Sequence, residues 1–178
     1  MNWPNRLSII RILCVPLLVL LMMLPPPWSQ TAAAAVFCIA SLTDFLDGYL
    51  ARKYHLITDF GKFIDPVADK LLVLSVFILL TEKGLFPGWA AVLILARELS
   101  IDGLRLVAMT RQKVIAAGHL GKIKTFSQML LILLLILTRQ PAFSAWYTAV
   151  PTAWVLVITL WSAVDYFRNN LSVFRTDS

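Results

Sequence analysis

Two closely spaced pairs of aspartates are the residues of this chain best suited to chemistry. Asp44 and Asp47 are three residues apart, and Asp65 and Asp69 are four residues apart. On a helix either spacing puts both side chains on one face. Long apolar runs precede the first pair and follow the second. We therefore expect both pairs near the ends of two consecutive membrane-length helices, on the same side of a bilayer.

Four carboxylates that converge at one place repel one another strongly. Two unit charges about 4 Å apart interact by about 4 kcal/mol at an effective dielectric constant near 20. Protonation of the carboxyl groups or binding of cations would relieve this repulsion. A set of carboxylate oxygens suits hard divalent ions such as magnesium, manganese or calcium. The pattern therefore predicts a divalent-metal site at the four aspartates.

The composition is that of an integral membrane protein. Of the 178 residues, 59% are hydrophobic and 15% are charged, and the mean hydropathy is +0.77. A soluble domain has about 25% charged residues. The net charge of +6 would form a basic face in a nucleic-acid-binding protein, but in a membrane protein it should collect on one side of the bilayer. We therefore expect a partner surface of membrane lipid and no nucleic acid.

Six apolar stretches follow one another along the chain, and each is near the roughly 20 residues that a bilayer needs. They predict an all-α, polytopic membrane protein with six transmembrane helices, in one domain over residues 1–178. A short interfacial helix at residues 2–11 should run on into the first span. The first span should end near residue 24, and the others should cover 31–52, 61–81, 87–109, 121–137 and 146–167.

Basic residues are distributed unevenly between the two sides that six spans create. One side carries only Lys83 and Arg139. Since lysine and arginine favour the cytoplasmic side, we expect both termini and the four aspartates to be cytoplasmic. The basic residues on that side are Arg6, Arg11, Arg52, Lys53, Lys62, Arg105, Arg111, Lys113, Lys122, Lys124, Arg168 and Arg175.

Written as a pattern, the acidic stretch is D-x-x-D-G-x-x-A-R, eight residues, then G-x-x-x-D-x-x-x-D. It resembles, at every fixed position, the signature of the CDP-alcohol phosphatidyltransferase family. Members of that family transfer a phosphatidyl or similar group from a CDP-linked donor to an alcohol and release CMP. The resemblance implies six membrane helices, a divalent-metal site and, in many members, a homodimer.

The resemblance also implies roles for individual residues. Asp44, Asp47 and Asp65 would hold magnesium or manganese, as two ions, and Asp69 would meet the metal and take the proton from the acceptor hydroxyl. Small residues would let the nucleotide approach the backbone, and an arginine would neutralise diphosphate oxygens. The alternative is that the small residues only allow close helix packing and that the acids pair with nearby bases. The residues expected to bind the donor, CDP-diacylglycerol, are Gly48, Ala51, Arg52, Gly61, Asn5 and Ser8.

Two further stretches bear on the acceptor, ARELSIDGLR at 96–105 and GKIKTFSQM at 121–129. With the opening PNRLSIIR, they resemble the bacterial members whose acceptor is glycerol-3-phosphate, which implies a multi-pass protein of the bacterial inner membrane. Asp102 departs from that pattern. An acceptor that is itself a phosphate needs a pocket of cations, and a buried arginine usually faces a partner or a wet cavity. The residues expected to bind it are Arg97, Arg105, Lys122 and Lys124; the alternatives are a structural Arg97–acid pair and solvated lysines.

Two rival functions remain open at this point. The first is a transferase of the same family with another acceptor, such as inositol phosphate, serine or phosphatidylglycerol. The second is a divalent-cation transporter that uses intramembrane acids. A transporter needs a polar pathway across the whole bilayer, whereas these acids cluster towards one side.

The transferase and transporter hypotheses predict different behaviour in detergent. Given an acceptor alcohol, a transferase should release CMP from a CDP-lipid in a divalent-metal-dependent reaction that needs no membrane gradient. The measurement is CMP formation by the purified, detergent-solubilised protein with and without a chelator. Failure to release CMP under these conditions, together with metal uptake in sealed vesicles, would favour the transporter.

Overall fold

The computed structural model describes residues 3–53, 59–110 and 118–170, and it is helical in each of these ranges. Side chains are described for residues 8–43, 67–110 and 118–170. The expected all-α fold is confirmed, and the helix ends lie within about one turn of the predicted ones. The helices are α1 (Trp3–Met23), α2 (Trp28–Lys53), α3 (Asp59–Glu82), α4 (Gly88–Thr110), α5 (His119–Thr138) and α6 (Trp146–Asn170).

The outer surface of the bundle carries many large apolar side chains. Large hydrophobic side chains are exposed on each of the six described helices, for example Leu13, Ile39, Ile78, Val92 and Trp161. Such a surface is unfavourable in water and normal in lipid. The chain is therefore a membrane protein.

Two of the described helices, α5 and α6, are long and apolar enough to cross a membrane, at 20 and 25 residues. Shorter apolar segments are present in α1 at Ser8–Met23 and in α2 at Trp28–Thr43. Helix α4 has the length but carries four charged residues between Arg97 and Arg105, which lower its mean hydropathy. The first of these charged residues turn inward, as described below, so they do not oppose contact with lipid.

The apolar core joins all six described helices at the end of the bundle away from the acidic stretch. α1 packs against α2 and α3, while α5 packs against α6 and α2. Leu18, Phe37, Phe77, Ile94 and Leu135 are among the buried residues of this core.

The connections at this end also meet. The Ala142 backbone N–H donates to the Leu85 carbonyl at 2.9 Å, and the rings of Trp89 and Phe143 stack at 6.4 Å. The α3–α4 and α5–α6 connections therefore close one end of the bundle with apolar and aromatic side chains. The described ion pairs lie towards the other end.

Two leucines that lie two positions apart on α5 provide a matched test of this packing. Leu135 is fully buried, whereas Leu137 is 58% exposed. Leu135→Ala should lower the free energy of unfolding by about 2–5 kcal/mol, because it leaves a cavity in the core. Leu137→Ala should change it little, because lipid or detergent replaces the lost contacts. Thermal unfolding in one detergent compares the two; equal destabilisation would contradict the orientation of α5.

Candidate functional site

The acidic stretch forms the last part of α2 and the first part of α3. Asp44 and Asp47 lie on α2, and Asp65 and Asp69 lie on α3, so the prediction that each pair lies on a helix is confirmed. Asp69 is half-buried. The predicted residues whose side chains lie outside the described part of the chain are Asp44, Asp47, Asp65, Gly48, Ala51, Arg52, Gly61 and Asn5.

The metal site accordingly stays a prediction. Among the side chains that the structure describes, no three potential metal ligands come together. The donor set nevertheless fits a hard divalent cation, because it consists of carboxylates only, two on each helix. α2 and α3 contact each other, and both pack against α1. The backbone therefore brings the two acid-bearing helices side by side, as a shared metal site requires.

Helix α1 contributes two polar residues to the interior beside these helices. Ser8, which was predicted to bind the donor, and Arg11 are both buried. Both lie in the half of α1 that leads from the N-terminus. Ser8 therefore lies inside the bundle and not on its outer surface. The buried guanidinium of Arg11 needs hydrogen bonds or an anion to offset its lost hydration.

The centre of the described polar network is Glu98 of α4, which is 7% exposed. Its carboxylate forms an ion pair with the Nζ of Lys124 on α5. Arg97 Nη1 donates to the same carboxylate, at 3.2 Å from Oε1 and 3.3 Å from Oε2. Arg97 Nη2 donates to Ser162 Oγ on α6 at 3.1 Å. One carboxylate therefore ties three helices together.

The network holds two cations on the carboxylate of Glu98 and reaches towards the acidic stretch. Lys124 is 3% exposed and, with Arg97, gives two cations for the one carboxylate of Glu98. On α3, Asp69 interacts electrostatically with Lys124, and Lys70 does so with Glu98. The acids of α3 and the cations of α4 and α5 therefore belong to one electrostatic environment.

A second ion pair joins α3 to α4. Lys70 pairs with Asp102, and both side chains are partly exposed. Lys70 directly follows Asp69 in the chain. Asp102, the residue that departs from the acceptor-related pattern, therefore acts as the partner of a lysine beside the acidic stretch.

Arg105 lies two turns beyond Arg97 on α4 and contacts α6. Its Nε donates to the Tyr166 hydroxyl at 3.0 Å, and its guanidinium carbon is 5.5 Å from the centre of the Tyr166 ring. Neither contact neutralises the charge of the guanidinium. Among the residues that the structure describes, the partner that orients Arg105 is therefore uncharged.

The structure brings two of the four predicted acceptor residues together and places the other two elsewhere. Arg97 and Lys124 meet at Glu98, whereas Arg105 lies with Tyr166 and Lys122 is exposed on α5. The structure contains the Arg97–acid pair that the alternative proposed, formed with Glu98. This pair keeps the guanidinium of Arg97 inside the bundle.

The partners on α6 escaped the sequence analysis. Ser162 and Tyr166 are buried polar residues four positions apart in an apolar helix. Such a spacing puts both on one helix face, and this signal could have identified them. Gln128 of α5 is likewise buried and had no predicted role.

Comparison with known proteins gives similarity over nearly the whole chain. A family model described as CDP-alcohol phosphatidyltransferase matches residues 1–163. A Bacillus subtilis (strain 168) protein named CDP-diacylglycerol–glycerol-3-phosphate 3-phosphatidyltransferase is 38% identical over 191 residues, covering 99% of this chain and 99% of that protein. Proteins of the same name from Escherichia coli (strain K12) and Shigella flexneri serotype 5b are 38% identical over 183 residues, covering 99% of this chain and 96% of each relative.

Removing the charge of Glu98 should destabilise the bundle. In Glu98→Gln the cations of Arg97 and Lys124 lose their carboxylate, and breaking a buried pair in this way costs about 3–5 kcal/mol. Glu82→Gln is the matched control, because Glu82 is exposed at the other end of the bundle. The thermal midpoint in detergent should fall for Glu98→Gln and stay unchanged for the control. Equal midpoints would contradict the central role of Glu98.

Proposed function

The chain belongs to the CDP-alcohol phosphatidyltransferase family, and we propose that it transfers the phosphatidyl group of CDP-diacylglycerol to glycerol-3-phosphate, releasing CMP. The observation that carries the acceptor assignment is the buried pair of cations, Arg97 and Lys124, held on Glu98. Two buried cations that share one carboxylate inside a membrane bundle suit an acceptor that is itself a phosphate. The names of relatives that match nearly the full chain support the same reaction.

In the proposed mechanism the donor's diphosphate lies at the carboxylates of α2 and α3. Asp44, Asp47, Asp65 and Asp69 would hold the divalent metal, which we propose to be two magnesium or manganese ions. Bound there, the metal would neutralise diphosphate charge and favour displacement at phosphorus. The surroundings that we propose for the nucleotide and diphosphate are Gly48, Ala51, Arg52, Gly61, Asn5 and Ser8.

The reaction forms one bond and breaks one. The acceptor hydroxyl oxygen bonds to the phosphorus that carries the lipid, and the bond from that phosphorus to the CMP oxygen breaks. Asp69 takes the hydroxyl proton in this proposal, and its interaction with Lys124 puts it beside the residues assigned to the acceptor. No covalent intermediate on the protein is needed, because the acceptor attacks directly.

The acceptor's phosphate would bind beside the carboxylates, at the cations of α4 and α5. These are Arg97, Arg105, Lys122 and Lys124. Charge-assisted hydrogen bonds from arginine to phosphate are among the stronger polar contacts in proteins. Arg97 and Lys124 already share a carboxylate, so the acceptor would compete with Glu98 for them. Exposed Lys122 would attract the anion before it enters.

We also propose the membrane arrangement that the function requires. Six spans with both termini and the site on the cytoplasmic side of the bacterial inner membrane would expose the site to water-soluble glycerol-3-phosphate. The uneven distribution of basic residues supports this orientation. A single domain and a homodimer complete the proposal.

An acceptor panel tests the proposed function. The purified protein is incubated with labelled CDP-diacylglycerol and, separately, glycerol-3-phosphate, serine, inositol phosphate or phosphatidylglycerol. Phosphatidylglycerophosphate should be the main product, and uncharged glycerol should give little. A faster reaction with any other acceptor would overturn the acceptor assignment while keeping the family chemistry.

Arg105→Ala should raise the KM for glycerol-3-phosphate and leave the KM for CDP-diacylglycerol unchanged. Loss of one charge-assisted hydrogen bond should raise this KM by about 10- to 100-fold. Arg168→Ala is the matched control, since Arg168 is an exposed arginine near the end of α6, the helix that carries Tyr166. The variants share the loss of one positive charge, so a general surface effect would shift both. An unchanged acceptor KM in Arg105→Ala would count against its contact with the phosphate.

A further inference from the structure

Gln128 lies at the boundary between the polar network and the apolar core. It is one helical turn from Lys124 on the buried face of α5 and is 1% exposed. The next residues on that face are Leu131, Ile132 and Leu135, which all belong to the apolar core. Gln128 is therefore the last buried polar residue on this face of α5 before the apolar core.

The side-chain amide of Gln128 has an unusual environment. Its Nε2 is buried and has no hydrogen-bond partner among the described residues. Buried polar groups are almost always hydrogen-bonded in folded proteins, so such a group needs an explanation. A donor that the protein itself leaves unsatisfied is well placed to meet a bound polar molecule.

The same condition recurs on the two neighbouring helices. In the described part of the chain, Arg97 Nε on α4 and Thr159 Oγ1 on α6 are also buried without a hydrogen-bond partner. Both residues belong to the Glu98 network, because Arg97 donates to Ser162 and Ser162 Oγ donates to the Thr159 carbonyl at 3.0 Å. Unsatisfied polar atoms on α4, α5 and α6 thus accompany the paired cations.

We propose that Gln128 is a specificity-determining residue that donates a hydrogen bond to the unreactive C2 hydroxyl of the acceptor. This inference rests on the proposed function, which places the acceptor's phosphate at Arg97 and Lys124. Gln128 is about 6 Å from Lys124 along the helix axis, a separation on the scale of a three-carbon phosphate. A hydroxyl oxygen accepts a hydrogen bond from an amide, so the two groups are chemically matched.

A pair of acceptors that differ only at C2 tests the proposal. Glycerol-3-phosphate carries the hydroxyl, and 3-hydroxypropyl phosphate lacks it but keeps the phosphate and the attacking hydroxyl. The measured quantity is the ratio of kcat/KM for the two acceptors on one protein preparation. A ratio of this kind is independent of the fraction of protein that is folded, so partial loss of folding does not obscure it.

The wild type should prefer glycerol-3-phosphate by about tenfold or more, the effect of one hydrogen bond in a site that excludes water. Gln128→Met, which keeps a side chain of similar size, should bring the ratio close to one while retaining turnover of 3-hydroxypropyl phosphate. Gln128→Leu should do the same and is the second variant. Gln140→Leu is the matched control, because Gln140 is exposed beyond the other end of α5, and it should keep the wild-type ratio.

Three results would overturn the inference. The wild type could show no preference between the two acceptors, both Gln128 variants could keep the wild-type ratio, or the variants could lose both activities in equal proportion. Each would mean that Gln128 serves the packing of the bundle and not the acceptor. Failure of the proposed function is distinguishable, because in the acceptor panel the wild type would then react faster with another acceptor than with glycerol-3-phosphate.

Discussion

The buried ion pairs at Glu98 constrain the polar end of this bundle more than any other contact that the structure describes there. Moving a charged group out of water costs several kcal/mol per ion, and mutual attraction offsets that cost only with good geometry and further hydrogen bonds. Glu98 supplies both, since its carboxylate meets Lys124 and Arg97, and Arg97 is anchored to Ser162. The arrangement fixes α4, α5 and α6 relative to one another. It also holds two cations on one carboxylate, beside Asp69 of α3.

The two sets of residues assigned to the site lie on different helices at the same end. The four aspartates of the acidic stretch lie on α2 and α3, and the cations assigned to the acceptor lie on α4 and α5. The two sets interact at α3. Asp69 interacts electrostatically with Lys124, and Lys70 forms an ion pair with Asp102 of α4. A transferase that joins a metal-bound diphosphate to a phosphate-bearing alcohol needs this separation. A metal site and an anion site must be adjacent without neutralising each other.

Much of this arrangement could be predicted from the sequence, for identifiable reasons. Each apolar stretch ends in a proline, glycine or charged segment, so the helix ends followed from composition. Both aspartate pairs could be placed on helices because spacings of three and four residues describe one face. Likewise, Arg97 drew attention because charge is rare in an apolar helix.

The contacts between helices could not be predicted in the same way. The spacing within one helix says nothing about which helix lies opposite, so the pairs Lys70–Asp102 and Arg105–Tyr166 needed the packing of α3, α4 and α6. Gln128 resembled an ordinary helix residue because burial, not residue type, makes its amide unusual. Mean hydropathy alone also does not identify α4 as a membrane span. Charged side chains that point into the bundle lower this mean as much as charged side chains that face lipid would.

Binding of the acceptor, measured apart from turnover, is the most direct test of the idea that these cations exist for a phosphate. Labelled glycerol-3-phosphate would be titrated into the purified protein with magnesium and CMP present, for the wild type and for the Arg97→Lys/Arg105→Ala double variant. Saturable binding to the wild type that is lost in the double variant, and that unlabelled glycerol does not displace, is the expected result. Equal binding to both proteins would show that the acceptor's phosphate lies elsewhere.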